Sequence, residues 1–174
     1  MSDILETKEL EPLPTTPEQL FKILQTLNIT YELHHHPATF TVAESDVLKA
    51  EIPGTHCRNL YLRDKKKRNF LIVAANETEI DLKFLSKALD CGRFSFGSQD
   101  RLWQHLGIRQ GSVCPFCVIN DPDHHVQVVL DAEMMKANRV NYHPMDNRMT
   151  IGLSPTDLLR FFEHSGHVPI TLDL

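Results

Sequence analysis

Three stretches of this chain carry residue types that can do chemistry. The first is Gly54-Thr55-His56-Cys57-Arg58-Asn59-Leu60-Tyr61-Leu62-Arg63-Asp64. Arg58 and Asn59 there set a cation beside an amide at the start of an expected strand, where a rigid scaffold can present both to a ligand. The second is Gly111-Ser112-Val113-Cys114-Pro115. Gly111 permits unusual backbone angles and Pro115 withholds a ladder bond, so a loop of this kind exposes several backbone N–H groups together. The third is His143, placed before Pro144. Each also has a plain reading: a surface arginine on a strand, a turn, and a histidine that only supports structure.

Two further groupings invite redox or metal chemistry. Cys114-Pro115-Phe116-Cys117 has the spacing of a thiol–disulfide pair or of half a zinc site. A thioredoxin-like pair would open a helix, whereas here a loop is expected to run into an apolar strand over Phe116 to Ile119. Neither Cys57 nor Cys91 brings the second Cys-x-x-Cys of a strong zinc signature. The pair therefore reads as two small buried side chains. His34, His35 and His36 are neighbours in an extended segment and face alternate ways, without the helical spacing of a metal site. No metal and no cofactor is expected. The chain also lacks a Gly-x-Ser-x-Gly elbow, a phosphate loop ending in Gly-Lys-Ser/Thr and a dinucleotide fingerprint, which removes support for serine hydrolase, nucleotidase and dehydrogenase readings.

The elements that must position these residues follow from pattern. Thr16 as N-cap, Pro17 in the first turn, and Leu20, Phe21, Ile23, Leu24 and Leu27 on one stripe predict a helix ending near Asn28. A short strand is expected over Ile29 to Leu33, then a helix from Thr41 to Ala50 that Pro53 and Gly54 stop. Lys65 to Arg68 reads as a charged hairpin tip, and Phe70 to Ala75 as a strand buried on both faces. Helices follow over Asp81 to Leu89 and after the cap Ser98, with a short strand at Arg93 to Gly97 between them. Val126 to Leu130 and Met149 to Gly152 are strands, Glu133 to Ala137 a helical turn, and Ser154-Pro155 opens the last helix.

A chain of 174 residues with 41% hydrophobic content suits one compact domain, expected over 15–174 behind an acidic, proline-holding and mobile tail over 1–14. The net charge of -5 excludes a global basic field, so any nucleic-acid contact must be local. Four cysteines without a signal peptide, and no apolar run near the ~20 residues of a membrane span, point to a cytoplasmic protein with reduced thiols and no membrane partner.

Taken in order, these segments resemble the YbaK and prolyl-tRNA synthetase-associated editing domain family, and most closely its free-standing alanyl-tRNA(Pro) deacylase branch. The likeness runs from about Pro17 to the C-terminus. It rests on His36-Pro37, Gly54 to Asp64, Phe94-Ser95-Phe96-Gly97, Leu106-Gly107 with Gly111-Ser112-Val113, Ile119-Asn120-Asp121 and Asn141-Tyr142-His143-Pro144. No single piece is specific; their order is. The resemblance implies an α/β fold, a mixed sheet curled into a partly open barrel with helices around it. It also implies hydrolysis of the ester joining a wrong amino acid to the tRNA 3′ end, with Ala-tRNA(Pro) as substrate. The partners implied are the acceptor end of mischarged tRNA(Pro) and, beyond it, prolyl-tRNA synthetase.

The resemblance assigns catalysis to Arg58, Asn59 and Gly111, and substrate binding to Ser112, Val113, Cys114, Pro115, His143 and Phe40. Backbone N–H groups of the Gly111-to-Pro115 loop would hold the ester carbonyl, and the substrate's own ribose hydroxyl with a bound water would replace a protein nucleophile. A second pocket that admits only small side chains adds the discrimination a synthetase pocket built for proline lacks. One position departs from the family pattern: it has lysine where this chain has Arg58, and a guanidinium is a wider, rigid fork. A catalytically weak or inactive tRNA-binding module of the same fold is therefore the alternative.

Overall fold

The computed structural model describes residues 11–39 and 41–174. Its organising strand is β3 (Asn69–Ala75), buried along its whole length as its nearly continuous apolar run demands. Around it stand β1 (Glu32–His35), β2 (Thr55–Asp64), β4 (Phe94–Phe96), β5 (Val126–Asp131), β6 (Val140–Tyr142), β7 (Met149–Leu153) and β8 (Ile170–Leu172). Among the described residues these make one mixed, unclosed sheet in the order β1-β7-β6-β2-β3-β5-β8, with β4 paired to the far end of β2. β2 runs antiparallel to β3 from Cys57↔Ala75 to Arg63↔Asn69, and its first two residues lie parallel to Val140 and Asn141 of β6.

The period of two along each strand divides the core. Leu71, Val73 and Ala75 of β3, with Tyr61 of β2, enter a large cluster, while Phe70 and Ile72, with Leu62, enter a smaller one. The large cluster is closed by Leu20 and Leu24 of α1 (Pro17–Thr26), Leu102 and Leu106 of α4 (Gln99–Leu106), and Leu158, Phe161 and Phe162 of α5 (Pro155–Ser165). The smaller takes Leu85 of α3 (Leu82–Ala88). The expected caps are in place: Thr16 forms a reciprocal box with Gln19, Ser98 accepts from Arg101 N, and Ser154 accepts from Asp157 N. Gly97 lets β4 close on β2, since a Cβ there would stand 2.3 Å from the Tyr61 ring.

Four local expectations are corrected. Phe116 to Ile119 is not a strand but part of a 3-10 helix, Pro115–Asn120. Pro115 occupies its first turn, and Phe116 is held edge-on between Phe161, at 5.2 Å, and Tyr142, at 5.9 Å. A short apolar run has no periodicity that separates a strand from a buried helical turn, and here packing against α5 decides. The first strand is Glu32–His35, later than Ile29 to Leu33, because its partner Met149–Leu153 selects that register. Val140–Tyr142 is a strand of its own, and Ile170–Leu172 adds an edge strand parallel to β5 that the sequence reading did not include.

Of the expected tail, residues 1–10 lie outside the described residues. Glu11 and Leu13 do not hang free: the Trp103 indole donates to Glu11 at 3.0 Å, and Leu13 packs on the large core. Among the described residues no helix is long and apolar enough to cross a membrane.

Candidate active site

The opening of β2 is covered by α2 (Val42–Glu51), whose N-cap Thr41 and third residue Glu44 form a capping box. Ser45, Leu48 and Lys49 are spaced i, i+3, i+4, so they share one helical face, and that face meets β2, β6 and the residues after β6 across a cavity of about 80 Å³. Its other walls include Thr39, Cys57, Asn59, Asn141, Tyr142, His143 and Thr150. The cavity is small beside the ~300–1,000 Å³ of an ordinary small-molecule site. A larger cleft of about 640 Å³ lies at the far end of β3 beside Lys67 and His167, but it contains none of the three stretches singled out by sequence.

The walls are polar and two of their groups lack a partner. Asn59 Oδ1 and Asn141 Oδ1 are buried without a hydrogen bond among the described residues, whereas Asn141 Nδ2 donates to the Pro53 carbonyl at 3.1 Å. Buried acceptors are nearly always satisfied in a folded protein, so the orphan oxygen of Asn59, a residue of the cavity wall, is open to a ligand's donor, whereas Asn141 Oδ1 lies against Gly152. His143 Nδ1 stands 2.8 Å from the Met149 carbonyl, which can only accept. Nδ1 therefore carries the proton and Nε2 is left with its lone pair. Burial, opposed by that bond to Met149 and aided by the nearby His36, holds the His143 pKa below its ordinary value, so the ring is a neutral acceptor at pH 7.

His36 stands behind this wall, in contact with Thr150 and His143. Its Nδ1 donates to the Pro37 carbonyl and its Nε2 accepts from the Thr150 hydroxyl, each at 2.8 Å, and its ring lies 5.9 Å from that of His143. Cys57 is no nucleophile: burial pushes its thiol up to about 12. Tyr142 is likewise kept protonated by burial and donates to Met134 Sδ at 3.1 Å. The site thus offers oriented hydrogen-bonding groups and a neutral imidazole, with no ionised nucleophile among the residues that line it.

The Gly111-to-Pro115 loop does not line the cavity but meets it at one remove. Gly111 has φ +91°, a conformation that only glycine adopts freely. Ser112 N donates to Arg109 O at 3.1 Å, while the N–H groups of Gly111, Val113 and Cys114 have no acceptor among the described residues. The loop is tied to the His143 segment, for Cys114 Sγ is 3.7 Å from Met145 Sδ. It is tied to the cavity through Thr39, which lines both the cavity and an open cleft of about 630 Å³ that reaches Gly111. Cys114 and Cys117 are free and fully buried, and burial together with the Cys114 neighbour raises the Cys117 thiol well above its usual value. Among the described residues no group of three or more His, Cys, Asp or Glu is arranged to hold a metal.

The structure therefore gathers Asn59 and His143 on one cavity, while of residues 111–115 only Gly111 lines the adjoining cleft and none lines the cavity itself. Arg58 is not in that group. It is exposed on the opposite face of β2, where its Nη2 donates to the Thr78 carbonyl at 2.5 Å. Phe40 lies outside the described residues. The cation on the cavity is Lys49, which with Thr150 carries no motif in the sequence, whereas Asn141 belongs to the Asn141-to-Pro144 segment. The i, i+3, i+4 spacing of Ser45, Leu48 and Lys49 is the available signal for Lys49; nothing local marks Thr150.

Comparison with known proteins gives a consistent picture. The sequence model of the aminoacyl-tRNA editing domain matches residues 36–161. The chain is 34% identical over 157 residues to the prolyl-tRNA synthetase associated domain-containing protein 1 of Danio rerio, spanning 89% of this chain and 85% of that one. It is 36% identical over 152 residues to the prolyl-tRNA editing protein ProX of Acetoanaerobium sticklandii, spanning 87% and 93%. A solved structure described as a proposed trans-editing enzyme for prolyl tRNA synthetase superposes with a TM-score of 0.70 at 18% identity, over 95% of this chain and 98% of that one. At that identity the likeness is one of fold.

Proposed function

The chain belongs to the aminoacyl-tRNA editing domain family, and from that footing we propose that it is a trans-editing deacylase that hydrolyses alanine from tRNA(Pro). The observation that carries this reading is the 80 Å³ cavity lined by Asn59, with its orphan oxygen, and by the neutral His143. A cavity that small suits a small aminoacyl group better than a bulky one. Prolyl-tRNA synthetase is the source of the mischarged substrate, because an active site built for proline discriminates weakly against a smaller cargo.

In this mechanism the aminoacyl group enters between α2 and β2. The substrate's α-amino group donates to the Asn59 oxygen. A water, oriented by the vicinal ribose hydroxyl and by His143 Nε2, attacks the ester carbon. Negative charge gathers on the carbonyl oxygen and is met by N–H groups of the Gly111-to-Pro115 loop, which are fixed before the reaction begins. The tetrahedral species collapses by breaking the bond to the ribose oxygen, and the proton lost by the water ends on that oxygen. Free alanine and tRNA leave. Lys49 and Arg58 hold phosphate groups of the acceptor end, the first at the cavity and the second from the other face of β2.

The test is direct. Purified protein releases alanine from Ala-tRNA(Pro) and leaves Pro-tRNA(Pro) intact; equal turnover of the two esters, or none above a buffer control, removes the enzymatic reading. The position of Arg58 away from the cavity favours one second reading, a tRNA-binding module without turnover. That module would bind charged tRNA(Pro) in the same assay and shield its ester from hydrolysis.

A further inference from the structure

We propose that the cleft between α4 and the Gly111 loop is a stacking shelf for the purine base of the substrate's 3′-terminal nucleoside, a subsite that rests on the editing reading above and deepens it. The cleft, of about 630 Å³, shares Thr39 with the acyl cavity and includes Gly111, so a nucleoside seated there has its ribose at the cavity mouth. Its lining includes an indole ring and a guanidinium in contact. The Arg109 guanidinium lies over the Trp103 ring, 4.4 Å from the centroid. Bases of single-stranded RNA ends stack on such rings and on guanidinium planes alike.

This pair is held before any ligand arrives. The Trp103 indole N–H donates to Glu11 Oε2 at 3.0 Å, and the Arg109 guanidinium donates to the Glu11 carbonyl, so one residue of the N-terminal arm pins both planes. A shelf whose rotamers are fixed loses little entropy when it is occupied. Gln99 and Gln110, joined at 2.5 Å across the cleft, supply amide donors and acceptors at its rim for the edge of the base. A purely structural role for the pair, clamping the arm, would use the same two bonds to Glu11 but would not need a cleft of nucleoside size on the cavity's side.

Trp103 is the chain's single tryptophan, so its fluorescence reads the shelf alone. The probes are two uncharged RNA microhelices of the tRNA(Pro) acceptor stem, one ending in CCA and one lacking the terminal adenosine, with binding followed separately by anisotropy of a label on the RNA. The CCA form is expected to quench Trp103 and to bind roughly tenfold tighter or more than the shortened form. Trp103→Ala is expected to raise KM for Ala-tRNA(Pro) about tenfold while lowering kcat less, and Trp103→Phe to restore most of the loss. Bound microhelix with unchanged Trp103 emission, or equal quenching by both RNAs, overturns the shelf and leaves the editing reading standing. Absence of both deacylation and RNA binding overturns the two together.

Discussion

Arg58 and Asn59, adjacent in the chain, serve opposite faces of the sheet: Asn59 lines the cavity that His143 shares, while Arg58 turns away and donates to the Thr78 carbonyl at 2.5 Å. The alternation of a β-strand makes this unavoidable. Only one of the two can line the cavity, and it is Asn59.

Asn59→Ala should therefore separate activity from stability. The orphan Asn59 oxygen is a buried polar group with no bond to lose, and such a group costs the folded state about 1–3 kcal/mol. Urea denaturation of the variant should give a midpoint no lower than the parent's, while alanine release falls by roughly tenfold or more, the order of one lost hydrogen bond to the substrate. A variant that is destabilised and still active would place Asn59 among structural residues.

Arg58 is predicted to act on binding. Arg58→Ala should raise KM for charged tRNA more than it lowers kcat, and should reduce the slope of log affinity against log salt by about one, as loss of a single phosphate contact does. Arg58→Lys should stay close to the parent. A large gain in turnover with lysine, at unchanged binding, would instead show an enzyme weakened by its arginine.

His143, His105 and His167 all have pKa values held down by burial, which opposes their charged form. Below a pH near the unfolded value of about 6.5 the unfolded chain takes up protons that the folded chain refuses. Stability is therefore fully present above that pH and is lost as pH falls toward the folded pKa values. Urea midpoints at pH 7.5 and 5.0 should show the fall, and His143→Gln should flatten part of it. The same variant tests catalysis: the ratio of parent to variant kcat/KM should shrink as acid protonates Nε2, and a ratio constant from pH 7.5 to 5.0 would remove His143 from the mechanism.

Leu48 sets the width of the cavity from α2. Leu48→Ala should admit a larger cargo, so turnover of Pro-tRNA(Pro) should rise and the preference for alanine should fall by roughly tenfold or more, the scale on which a few methylenes discriminate. Paired deacylation time courses on the two substrates measure it. An unchanged preference would place the sieve elsewhere.

Much of the scaffold was legible in the chain. Caps such as Thr16, Ser98 and Ser154 declare themselves by side-chain type and position, and the apolar run of β3 declares burial on both faces. What could not be read is what only partners decide. The apolar residues Phe116 to Ile119 have no period of their own until Phe161 and Tyr142 close on Phe116. The site divides in the same way. Asn59 and His143 were legible as residue types, the first within the β2 segment and the second just past β6, but the arrival of Lys49 from α2 and of Thr150 from β7 depends on how two distant segments meet β2.

The most direct test is a crystal structure with 3′-alanylamino-3′-deoxyadenosine, whose amide replaces the labile ester. The account predicts the alanyl methyl inside the cavity, its amino group within hydrogen-bond distance of Asn59 Oδ1, and the ring of His143 facing the amide carbon. An analogue bound on the Arg58 face of β2, or at the far cleft beside Lys67 and His167, would contradict it.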